Sequence, residues 1–83
     1  MGDIVDAISR VLDLYNNGKL GDVYREVAGH ILHNLNNLEG LTIYEIAEIC
    51  YASPTTLSRF SKKAGYQSFS EFKIAVQCAN IQI

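Results

Sequence analysis

The chain predicts an all-α fold, a five-helix bundle that contains a helix-turn-helix. Three observations lead there. Apolar residues recur at three- and four-residue intervals and not in alternation. Capping and stop signals cut the chain into five such segments. No strand run bounded by hairpin-turn residues interrupts them, and no internal repeat or low-complexity tract is present. Helices are expected at about 3–16, 22–35, 42–50, 53–64 and 68–79. Residues 1–76 then form one domain, and 77–83 read as a frayed end or the start of a linker.

Asp3 is the expected cap of the first helix, with Asp6 near the positive end of its dipole. Ile4, Ile8, Val11, Leu12 and Tyr15 lie at helical spacing, widened by Val5 and Ala7. Asn16-Asn17-Gly18 stops this helix, because Asn and Gly tolerate the left-handed conformation. Asp22 is a second N-cap, followed by an apolar face of Tyr24, Val27, Ala28, Ile31, Leu32 and Leu35. Arg25, Glu26, His30 and His33 fall nearer the wet side.

Thr42-Ile43-Tyr44-Glu45 is a capping box, in which hydroxyl and carboxylate each satisfy a free backbone N–H. Ile43, Ile46, Ala47 and Cys50 face inward from the short helix it opens. Cys50-Tyr51-Ala52 forms the turn. Ser53-Pro54 starts the next helix twice over, since serine caps and proline suits a first position that needs no N–H. Gly65 closes that helix. Ser68-Phe69-Ser70-Glu71 reads as a second capping box, opening a helix that packs through Phe69, Phe72 and Val76, with Ile74 and Ala75 as further candidates.

The 83-residue length suits one small domain, and a hydrophobic share of 48% excludes a disordered chain. No apolar run approaches the ~18 residues that span a bilayer, and no secretory signal opens the chain. The expected location is therefore cytoplasmic, with Cys50 and Cys78 as reduced thiols. The net charge of −2 argues by itself against a nucleic-acid partner. Its distribution argues the other way. Residues 1–49 hold three cations against eight carboxylates, while residues 50–83 hold Arg59, Lys62, Lys63 and Lys73 against Glu71 alone. Chance in a short chain is the competing explanation.

At 100° per residue, Leu57, Phe60, Ser61 and Ala64 share one side of the fourth helix. Thr55, Ser58, Arg59 and Lys62 share the other, flanked by Thr56 and Lys63, and no carboxylate joins them. Small hydroxyls permit close approach to a groove, and arginine can pair with guanine or phosphate. Backbone N–H groups at Ser53 to Thr55 offer a phosphate site. In a helix-turn-helix the second helix meets the bases while the first crosses the backbone, which gives Thr42 and Tyr44 phosphate contacts. The residues alone leave a second reading open, a helical protein-interaction module that binds no DNA. Lys73 is either a solvated cation or a phosphate contact.

The spacing from Leu41 to Val76 resembles the N-terminal domain of the RpiR family of bacterial transcriptional regulators. The matching runs are Thr42 to Glu48, Ser53 to Phe60, Gly65-Tyr66 and Ser68 to Lys73; Tyr24 to Leu35 fits more loosely. The resemblance implies a homeodomain-like helix-turn-helix regulator of sugar or sugar-phosphate metabolism. It also implies a second domain that binds a phosphosugar effector and helps dimerise the protein. The chain stops at Ile83, so it is expected to be the DNA-binding domain alone. Three positions depart from the pattern: Tyr51 where Gly or Asn is favoured, Ala52 for valine and Lys63 for leucine.

Two further constellations carry less. His30 and His33 lie three apart on a helix but lack an evident third ligand, so surface histidines are the simpler reading. Cys50 is better explained as a small buried hydrophobe than as a nucleophile. No enzyme, metal or cofactor is expected. The first helix offers more apolar surface than a support helix needs, so a homodimer formed partly through the N-terminal helices is expected.

Overall fold

Five α-helices build the chain in a computed structural model that describes the backbone of residues 2–82 and the side chains of residues 7–78. They are α1 (Gly2–Asn17), α2 (Val23–His33), α3 (Ile43–Ile49), α4 (Pro54–Lys63) and α5 (Phe69–Gln82), with a 3-10 turn at Leu35–Asn37 between α2 and α3. No strand occurs among the described residues. The expected all-α fold with five helices is the one observed.

Local chemistry sets most helix starts. Asp22 accepts from the Tyr24 N–H at 2.9 Å and caps α2. Thr42 and Glu45 form the complete capping box of α3, with arms of 2.9 and 3.2 Å. Ser53 caps α4 through the Thr56 N–H at 3.1 Å, with Pro54 in the first turn. Two expectations need correction. Gly2 is already helical, so Asp3 lies in the first turn of α1 and not at its cap. At the start of α5, Ser68 does accept from the Glu71 N–H, but Glu71 reaches past Ser68 to the Gln67 N–H at 3.2 Å. The second box is therefore half formed.

α1 packs along α2 and α5, and α4 packs on α3, α5 and α2. The core draws Ala7 and Val11 from α1, Val27, Ala28 and Ile31 from α2, Ile46 and Ala47 from α3, and Leu57 and Phe60 from α4. From α5 it takes Phe69, Phe72 and Val76, as expected. Removing such side chains from water at roughly 25 cal/mol per Å² is the main force holding the helices together. Phe72 is the hub of an aromatic group, with Phe60 at 5.5 Å, Tyr66 at 5.6 Å and Phe69 at 6.0 Å between ring centroids. The edge-on contacts with Phe60 and Tyr66 favour one placement of α5 against α4 and the loop that follows it.

Several packing expectations change. Leu12 is 41% exposed, Tyr15 also lies outside the core, and Ile74 is 61% exposed. Ile4 and Val5 lie outside the described side chains. Leu35 belongs to the 3-10 turn and not to α2, because Asn34 ends α2 with its side-chain amide on the His30 carbonyl. Leu38, in the loop that follows, is buried. Gly18 has no positive φ. A Cβ there would sit 2.7 Å from Arg25 Cβ and 2.9 Å from the Leu14 carbonyl oxygen, so close approach between α1 and α2 requires it. α5 runs on to Gln82, past the expected end at residue 79.

Candidate nucleic-acid interface

α3 and α4 are joined by a turn whose hydrogen bonds define it. The Tyr51 N–H donates to the Glu48 carbonyl at 3.1 Å and the Ala52 N–H to the Ala47 carbonyl at 2.9 Å. This is a Schellman ending, which needs a left-handed residue after the cap. Tyr51 supplies it with φ of 54°. A β-carbon in that conformation costs about 1–2 kcal/mol. The Tyr51 side chain is 86% exposed, and its ring lies 5.3 Å from the His30 ring. The departure at Tyr51 is thus accommodated within a regular turn.

α4 ends in the same way. The Gly65 N–H donates to the Lys62 carbonyl at 3.0 Å and the Tyr66 N–H to the Ser61 carbonyl at 2.9 Å, with Gly65 at φ of 100°. Between these two endings, α4 turns Leu57, Phe60 and Ser61 inward. Ser61 is fully buried, and its hydroxyl donates to the Leu57 carbonyl at 2.9 Å, so no polar atom there is orphaned.

The outer face of α4 brings Thr55, Arg59 and Lys62 together as exposed side chains, with half-buried Ser58 beside them. Tyr44, on α3, is 70% exposed. The other sequence-predicted residues have internal duties. The Thr42 hydroxyl is held in the capping box. Ser53 and Thr56 share a hydroxyl hydrogen bond of 2.9 Å at the start of α4. Lys63 lies over the Tyr24 ring at 5.6 Å, on the α2 side of α4.

Lys73 resolves differently from either expectation, since its ammonium donates to the Leu41 carbonyl at the start of the α3 capping box. Arg10 was not a sequence candidate, yet its guanidinium donates to the Ala64 carbonyl at 2.9 Å and lies 5.5 Å from the Tyr66 ring centroid. No local signal in the sequence could have shown that contact.

The model of the helix-turn-helix domain of the rpiR family matches residues 15–80. The chain belongs to the rpiR family. No curated protein and no solved structure matches it at a significant level. Membership in the rpiR family supports a DNA-binding transcription regulator. No helix of the described residues is long and apolar enough to cross a membrane. No group of three or more His, Cys, Asp or Glu among those residues is placed to hold a metal ion. Cys50 is buried, and burial pushes its thiol up from 9.0 to about 11, opposite to the change a nucleophile needs.

Proposed function

We propose that this rpiR-family domain binds duplex DNA sequence-specifically, with α4 in the major groove and the start of α3 against the phosphate backbone. The observation that carries this reading is the outer face of α4, where Arg59 and Lys62 stand exposed beside Thr55 and Ser58. From Ser53 to Ser70 the chain has no carboxylate. Thr55 and Ser58 let the helix approach base edges, Arg59 reads a guanine or grips a phosphate, and Lys62 contacts phosphate. Tyr44 and Thr42 contact the backbone. Ser53, Thr56 and Lys63 shape and flank the reading face, with backbone N–H groups at the start of α4 available to a phosphate.

Two finer parts belong to the same proposal. The family resemblance supports regulation of sugar or sugar-phosphate metabolism in a bacterial cytoplasm, with a phosphosugar as effector of a further domain. The exposed Leu12 and Tyr15 of α1 support a homodimer through the N-terminal helices. A monomeric mass by light scattering at high concentration would count against that dimer.

Selection from random duplex DNA, followed by anisotropy titrations of the selected duplex across salt, tests the main reading. Affinity should fall steeply with salt, since each neutralised phosphate adds about 0.9 to the slope of log K on log salt. Arg59→Ala should either relax preference at one base pair or lower the slope by about one. Unchanged affinity in the chain carrying both Arg59→Ala and Lys62→Ala would remove α4 from the interface.

A further inference from the structure

The helix-turn-helix runs from the α3 cap to the end of α4, and a cation from outside it reaches each end. Lys73 of α5 donates to the Leu41 carbonyl, next to Thr42. Arg10 of α1 donates to the Ala64 carbonyl, at the C-cap of α4. These bonds span 32 and 54 residues, whereas the bond from Arg25 to the Tyr15 carbonyl spans ten. α1 and α5 pack on each other, so both donors stand on one frame.

We infer that Arg10 and Lys73 are positioning residues, which fix the angle at which α4 is presented to DNA without touching DNA themselves; this rests on the DNA-binding reading. Three features of the Arg10 end support it. The acceptor is a carbonyl at the negative end of the α4 dipole, where a cation is favoured. The guanidinium also lies over the Tyr66 ring, and Tyr66 meets Phe72 edge-on at 5.6 Å, which ties the contact to the aromatic hub. Gly65 is bare where Arg10 passes, since a Cβ there would run into the Arg10 guanidinium. The glycine thus serves the cation as well as the turn. At the other end, Lys73 holds the residue before the α3 capping box, which ties the start of α3 to α5. Together the bonds hold both ends of the helix pair against one rigid backing.

The test uses the whole chain carrying Arg10→Met, Arg10→Lys or Lys73→Met. Each is titrated against the selected duplex and against random duplex, over a range of salt and at a temperature where circular dichroism shows it folded. Arg10→Met should lower the ratio of selected to random binding about tenfold, because base contacts tolerate misplacement of a helix less than phosphate contacts do. The salt slope should stay unchanged, and Arg10→Lys should restore part of the ratio. Lys73→Met should lower it too, which keeps a reading available if Arg10→Met does not fold. A slope reduced by about one would overturn the inference by making Arg10 a phosphate contact. A full binding ratio with only a lower Tm would overturn it by making the bond structural. If the unaltered chain binds no DNA, the function reading fails, and residual dipolar couplings of the free protein still decide the geometry. A changed angle between α4 and α5 in Arg10→Met supports the positioning role, and an unchanged one overturns it.

Discussion

The α3 and α4 helices end on the same hydrogen-bonded turn but meet different demands at its left-handed residue. At the end of α3 that residue is Tyr51, whose side chain points into solvent beside His30. At the end of α4 it is Gly65, where Arg10 fills the space a β-carbon would take. The backbone cost of a side chain is similar at both, about 1–2 kcal/mol. Only at Gly65 is there a second, steric reason for glycine. A left-handed position therefore admits a large residue when its surroundings are open, and a side chain there must displace its neighbour when that neighbour uses the gap.

The largest way to test this contrast is Gly65→Ala. Strain at the turn and displacement of the Arg10 hydrogen bond should together cost about 2–3 kcal/mol, measured by urea unfolding. A loss under about 1 kcal/mol would mean that Arg10 moves aside freely and the two turns are equivalent.

A smaller effect separates the cap residues just before the two turns, Cys50 and Ala64. The Cys50 thiol has a folded-state pKa of about 11 against 9.0 for an ordinary thiol. The unfolded chain thus loses its proton first as pH rises. The folded state keeps its full stability from this group below pH 9, and the contribution drains away as pH rises through the folded value near 11. At pH 10 the loss should be about 1–1.5 kcal/mol. Cys50→Ala, which makes the α3 cap match the α4 cap, should flatten that part of the stability-pH profile. An unflattened profile would assign the alkaline loss to other groups.

The smallest effect is at Tyr51 itself. Tyr51→Gly relieves the left-handed strain but loses the ring contact with His30 and loosens the unfolded chain. A net gain of about 0.5 kcal/mol is expected in the same urea assay. A net loss would show that the His30 contact outweighs the strain.

What could be read from the sequence follows the range over which each feature is encoded. Asp22, Thr42 with Glu45, Ser53 with Pro54, and Gly65 were legible because a cap and its partner lie within four residues. The core sides of α3 and α4 were legible from their period, and so was the exposure of Thr55, Arg59 and Lys62. Lys63 is exposed as well, but its position over the Tyr24 ring was not legible, because it depends on where α2 places that ring. Gly18 resembled a helix stop, yet its role is set by Arg25 on the next helix. Lys73 and Arg10 lay beyond reach for a related reason. A long cationic side chain can serve any carbonyl within its radius, and only the assembled fold says which.

The reach of Arg10 bears on where this reading head can be cut and joined. The family match begins at residue 15, past the arginine whose donor meets Ala64. A fragment trimmed to residues 15–80 would contain all of α2 to α4 while leaving the far end of α4 without its tether. Swapping such heads between regulators to make chimaeras calls for seams outside α1 and α5, so that the helix facing DNA travels with the frame that aims it.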